Sequence, residues 1–189
     1  VAGLIMSNSM EMFALSFFVI GAAQSGFQMS TTNIVLEYGH PHDVPMPMDY
    51  YIWVIRNDER LVLVDTGFNQ DMADKRHRTL LRTPVEALKL LGISVDDVHE
   101  IVITHLHNDH VGTFDDFPVA KFHLQDDEMA FATGRFMCCD RFSRAYEVDH
   151  VAGMIRLVYK DRVIFHKGDA EIAPGISLHH IGGHTAGMQ

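Results

Sequence analysis

Basic side chains are scarce in this chain. Its 189 residues carry 15 Lys and Arg against 25 Asp and Glu, a formal charge of −10. Nothing so acidic offers the basic face that neutralises a phosphate backbone, so a nucleic-acid partner is excluded. Cysteine is scarcer still. Cys138 and Cys139 are the only two, and being adjacent they give neither an ordinary disulfide nor CxxC zinc spacing. They read as a partly buried, inert pair, and the lack of a disulfide framework points to a reducing compartment, the cytoplasm. No Lys or Arg occurs before Arg56, so the apolar stretch "MFALSFFVIGAA" from Met12 to Ala23 lacks the basic start of a signal peptide. It is also shorter than the ~20 residues a spanning helix needs, which leaves a first strand of the domain and no membrane partner. Internal repeats, low-complexity tracts and linkers are missing as well. With 47% hydrophobic and 21% charged residues, the composition is that of a soluble globular protein with one buried core.

The elements that are there interleave. Residues 37–49, "EYGHPHDVPMPMD", are rich in proline and read as a loop. "YYIWVI" and "LVLVD" are apolar strands joined by the polar "RNDER", a hairpin pattern, and the second ends in Asp65-Thr66-Gly67. In "TPVEALKLLG", Thr83 is the N-cap, Pro84 the first helical residue, Glu86 closes a capping box and Gly92 is the stop. "VAKFHLQ" reads as a strand, "DDEMAFATG" as a helix ended by Gly134, and Arg141 to Val158 as a further helix. Two or three short strands with glycine turns close the chain. Strands alternating with helices, with hairpins among them, predict an α/β sandwich with mixed sheets.

The densest chemistry lies in "IVITHLHNDHVG", Ile101 to Gly112. A β-branched run, fit for a strand buried on both faces, gives way to His105, His107, Asp109 and His110. On an extended segment His105 and His107 point the same way and can reach one ion at ~2.0–2.1 Å. If the chain turns after Asn108, Asp109 and His110 can hold a second ion ~3.5–4 Å from the first. Asp65 has two readings: a carboxylate orienting a ligating imidazole from behind, or one that satisfies turn amides after its strand. His123, His179 and His180 sit on short strands in structural or surface roles, and His40, His42, His77, His99, His150 and His166 lack ligand spacing.

His105-x-His107-x-Asp109-His110, followed by Gly182-Gly183-His184-Thr185-Ala186-Gly187 and preceded by Asp65-Thr66-Gly67, resembles the signature of the metallo-β-lactamase superfamily. Within it, "MDYYIWVI", "VDTGF", "THLHNDHVGTFDDFP", "FHLQDDEMAFATGRFM" and "APGISLHHIGGHTAGMQ" look like the N-acyl homoserine lactone lactonases. The resemblance implies an αββα sandwich with two Zn²⁺ ions at the sheets' edge. His105, His107 and His184 would bind the first ion, and Asp109 and His110 the second. It also implies a quorum-quenching hydrolase that opens a small-molecule lactone by attack of a metal-bridging hydroxide, with Asp109 as proton donor to the leaving ring oxygen. A histidine at position 107, where redox relatives carry a carboxylate, favours hydrolytic zinc over redox di-iron. The same dinuclear site would also suit another lactone, a thioester or a β-lactam, and a relative that binds metal without turnover is a third reading. The family's bridging Asp, last His and substrate-side Tyr find no match before Gln189. Residues 1–189 are therefore expected to be a single metallo-hydrolase domain, incomplete at the C-terminus. The segment "MAFATGRFM" is a source of apolar surface for an acyl chain.

Overall fold

The β-branched runs assemble into one mixed sheet. The computed structural model describes residues 11–15 and 49–189. Its six-stranded sheet runs in the order β1 (Glu11–Leu15), β2 (Ile52–Arg56), β3 (Leu61–Val64), β4 (Glu100–Val102), β5 (Lys121–Gln125), β6 (Val163–His166). β1, β2 and β3 pair antiparallel, and β3 to β6 pair parallel. All of these residues except Asp49 and Tyr50, which fall to another unit, belong to one compact unit. The predicted first strand holds for Glu11–Leu15. The rest of that apolar stretch, and the proline-rich loop as far as residue 48, lie outside the described residues. The β2–β3 hairpin forms as its sequence predicts, with the Asn57 side-chain oxygen accepting from the Glu59 and Arg60 amides at 3.0 and 2.8 Å.

Both faces of β3 and β4 are covered, which is why these strands read as unbroken apolar runs rather than alternating ones. On one face Leu63, Ile101, Phe122 and Leu124 pack against Leu88, Met154 and Leu157. These come from α2 (Pro84–Leu90) and α5 (Val148–Val158). On the other face Val62, Val64 and Val102 meet Ala173, Ile176 and Leu178, carried by the antiparallel pair β7 (Ala170–Ala173) and β8 (Ile176–Leu178). Among the described residues the layers are thus helices, large sheet and small sheet. No helix among them is long and apolar enough to cross a membrane.

Capping chemistry sets α2 as predicted. Thr83 Oγ1 accepts from the Glu86 amide at 3.2 Å, and the Glu86 carboxylate accepts from the Thr83 amide at 2.8 Å. These bonds hold the Glu86 carboxyl below its usual range. Gly92 follows in the left-handed region at φ +70°. The other helices depart from expectation. The span Arg141 to Val158 is not one helix but α4 (Asp140–Ser143) and α5, separated by a turn. Tertiary bonds hold that turn: the Ala145 carbonyl accepts two bonds from Asn108, and Glu147 is gripped by Lys75 and Arg76 from the end of α1 (Gln70–Lys75), each at 2.6 Å. α3 spans Asp126–Ala132 and is capped by Thr133. Gly134 is not its left-handed stop. It is needed because a Cβ there would sit 2.7 Å from the Ala130 carbonyl oxygen. The cysteines are exposed, not partly buried, because they fall in a surface turn between α3 and α4.

Candidate metal centre

Parallel pairing of β3 and β4 brings two chain segments to one edge of the sheet. Asp65 leaves β3 there, and His105 to His110 leave β4 beside it. The Asp65 amide bonds the Val102 carbonyl at 2.8 Å, and the Thr66 amide bonds the His110 carbonyl at 2.7 Å. Gly112 closes the contact, since a Cβ would lie 2.6 Å from the Asn108 oxygen and 2.8 Å from the Gly67 oxygen. Asp65 itself has φ +61°, a left-handed conformation that Asp tolerates better than most residues. That turn aims its carboxylate inward. It accepts from the Thr104 amide at 2.8 Å and from His110 Nδ1 at 2.7 Å, so it orients the His110 ring, and the amide it satisfies lies after the neighbouring strand rather than in its own turn.

β4 ends at Val102, so His105 and His107 converge through a loop rather than along a strand. His105 Nε2 lies 3.1 Å from His107 Nδ1. The ring of His184, carried in by the glycine turn after β8, has its centroid 4.9 and 4.7 Å from theirs. One nitrogen from each of the three falls within 4.8 Å of the others. Tetrahedral zinc with ligands at ~2.0–2.1 Å holds them about 3.4 Å apart, so this donor set fits such an ion. His105 Nδ1 meets the Thr104 hydroxyl at 3.1 Å, and that hydroxyl lies 2.8 Å from Asp65 Oδ2. The arrangement keeps His105 Nε2 turned to the cluster.

Asp109 and His110 form a second donor pair beside the first. With Nδ1 of His110 occupied by Asp65, its Nε2 faces Asp109 Oδ2 at 3.6 Å, a separation that one ion can bridge. The His110 and His105 rings are 4.0 Å apart. Burial pushes the His105 imidazole far below its ordinary pKa, with the neighbouring His110, His107 and His184 adding to it. Burial and His184 bring His107 down to about 4. Neutral imidazole is the ligating form. His110 moves the other way: burial is the largest single influence and opposes its charge, but the Asp65 carboxylate, with Asp109 and Glu128 adding to it, raises its pKa.

Two residues of this site had no signal in the sequence. Glu128, on α3, is wholly buried, and its carboxylate accepts from Leu106, Tyr146, Thr185 and Gly187. It reads locally as one of three acids in a helix's first turn. The Tyr146 ring stands edge-on to His107 at 4.6 Å in a stretch with no periodic cue. Among the described residues the remaining histidines stay outside the cluster, as their spacing predicts; His40 and His42 lie outside the described residues. His123 Nδ1 meets His166 Nε2 at 2.9 Å, His179 pairs with Asp169, and His180 Nε2 bonds the Ala186 carbonyl.

Comparison with known proteins gives the family. Residues 46–188 match the model of the metallo-beta-lactamase superfamily. Two curated relatives, both named N-acyl homoserine lactonase AiiB, come from Agrobacterium fabrum and Rhizobium rhizogenes. They are 30% and 35% identical over 159 residues, which is 77% of this chain and 57% of each relative. The chain therefore spans a little over half the length of the curated relatives it matches. Among solved structures, an N-acyl homoserine lactone hydrolase with the product N-hexanoyl-L-homoserine bound at the catalytic metal center is 22% identical, with a TM-score of 0.60 over 77% of this chain and 60% of that one. The hydrolase AbOPH is 20% identical, with a TM-score of 0.64 over 100% of this chain and 68% of that one. Matched by that family model over most of its length, this chain belongs to the metallo-beta-lactamase superfamily.

Proposed function

We propose that the site is a two-zinc hydrolytic centre that opens the ring of N-acyl homoserine lactones. His105, His107 and His184 hold the first ion, and Asp109 and His110 contribute to the second. The observation that carries this reading is the convergence of three histidine nitrogens within 4.8 Å, beside an Asp–His pair at 3.6 Å. Bound zinc would supply Lewis acidity, acidifying water and polarising an ester carbonyl. The chain's own groups do the rest. Asp65 fixes the His110 ring through its Nδ1, and Thr104 fixes His105. A water oxygen bonds the ester carbonyl carbon, Asp109 takes up a proton of that water and gives it to the ring oxygen as the acyl C–O bond breaks, and the resulting alcohol and carboxylic acid leave one acid equivalent per turnover when the acid ionises.

The substrate class rests on the resemblance to the lactonases and on an aromatic run beside the site. Phe131, Phe136 and Phe142 pack with centroids 5.8 to 6.0 Å apart, Phe131 reaches Tyr146 at 6.3 Å, and Tyr146 abuts His107. Phe136 and Phe142 are exposed, and together these rings offer an acyl chain an apolar path away from the metals, partly in the "MAFATGRFM" segment.

The test is ring opening by the full-length zinc-loaded enzyme, followed as acid release. Asp109→Asn should lose at least ~10²-fold in rate, the lower end for general acid catalysis, and should lower zinc content. An enzyme that hydrolyses thioesters or β-lactams and leaves acyl homoserine lactones intact would overturn the substrate; Asp109→Asn with unchanged zinc and rate would overturn the mechanism.

A further inference from the structure

Glu128 is a buried carboxylate with no cation among its hydrogen-bond partners, and the metal centre described above does not use it as a ligand. Its Oε1 accepts from the Leu106 amide at 2.8 Å and from the Tyr146 hydroxyl at 3.1 Å. Its Oε2 accepts from the Thr185 hydroxyl at 2.5 Å and from the Gly187 amide at 3.1 Å. Leu106 lies between His105 and His107, Thr185 follows His184, and the Tyr146 ring abuts His107. One side chain therefore ties together the two loops that supply the three histidines, which are 77 or more positions apart in the chain. The glycine at 187 belongs to the same joint. A Cβ there would fall 2.1 Å from the Glu128 amide nitrogen and 2.5 Å from its Cα, so the third-histidine loop rests directly on the start of α3.

Resting on the metal-site reading, we infer that Glu128 is a positioning residue whose four accepted hydrogen bonds set the separation of the His105–His107 loop and the His184 loop, and so the zinc affinity of the three-histidine site. Both carboxylate oxygens are required as acceptors. An amide offers one acceptor oxygen, and its NH₂ would face two of the four donors. A donor left unpaired in a buried site is costly enough to move the loop that carries it. Charge adds to this, since the negative carboxylate, buried against the residues that flank the three histidines, favours a bound cation.

Zinc affinity by competition with a chromophoric chelator, and the visible absorption of the Co²⁺ form, test this on the chain itself. Glu128→Gln should weaken zinc ~10- to 100-fold, the usual effect of removing a partner behind the ligands, and should change the Co²⁺ band. Thr185→Val, which keeps the carboxylate but removes the hydroxyl donor, should weaken zinc in the same direction by less. It stands in if Glu128→Gln does not fold. Val98→Ala, a core truncation just before the far end of β4, should leave affinity within about twofold even where it lowers thermal stability as much. The inference is overturned if the folded variants bind zinc like the wild type with an unchanged Co²⁺ band, or if Val98→Ala weakens zinc equally. A wild-type chain that binds no zinc would overturn the metal site along with it. Zinc bound without any lactone opening would count against the proposed substrate alone and leave the role of Glu128 to the affinities.

Discussion

Asp65 shows how much one residue's backbone conformation decides. At φ +61° it turns a strand end into a carboxylate aimed at His110 and Thr104, and that contact, together with the Asp109 and Glu128 carboxylates, raises the pKa of His110 against burial. Asp65→Asn keeps a residue that tolerates the left-handed conformation while removing the charge. In the zinc-free protein it should move the His110 pKa downward, read from the imidazole proton shifts in an NMR titration. An unmoved His110 would mean that Asp65 does not control it. Sequence reasoning reached Asp65 because an acid at a strand end is visible, but it could not choose between ring orientation and turn satisfaction. The parallel register of β3 beside β4 decides for the ring, and it gives the carboxylate the Thr104 amide across the sheet edge instead of an amide of its own turn.

At the scale of elements, the capping signals around α2 were legible because they act over three or four residues. Thr83→Ala should remove the side-chain acceptor for the Glu86 amide and cost ~1 kcal/mol, lowering the thermal midpoint by ~2–4 °C in a chain of this size. An unchanged midpoint would show that the cap adds nothing in this context. The region from Arg141 to Val158 was not legible in the same way. Its break at residues 144–147 is made by Asn108 and by Lys75 and Arg76, partners 37 to 72 positions distant, and no local pattern reports them. The exposed cysteines belong to the same class of error, since whether a short polar turn is covered depends on which helix returns over it.

The whole molecule sets the response to pH. Burial, with a second histidine in each case, holds His107 and His123 at about 4 in the folded state, against ~6.5 in an unfolded chain. The unfolded state therefore takes up protons first. Stability contributed by keeping these rings neutral is complete above about pH 6.5 and is lost as pH falls towards 4. His110 works the opposite way, favouring the fold at lower pH. The zinc-free protein should show a urea midpoint that declines between pH 6.5 and 4, and His123→Leu should flatten part of that decline. His123 Nε2 is buried without a hydrogen-bond partner, so this variant should lose little stability at pH 5. An identical slope in wild type and variant would remove His123 from the account.

The sequence by itself determined the strand runs, the hairpin, the capped helix and the donor residues from His105 to His110, because each rests on spacing within a dozen residues. It also supplied His184 through its glycine-flanked motif. The tertiary structure alone decided that the third histidine meets the first two, that the second pair shares its edge, and that Glu128 and Tyr146 stand behind them. Those placements come from parallel strand pairing and from a glycine turn resting on a helix start, contacts between residues 38 and 59 positions apart, which a linear pattern does not encode.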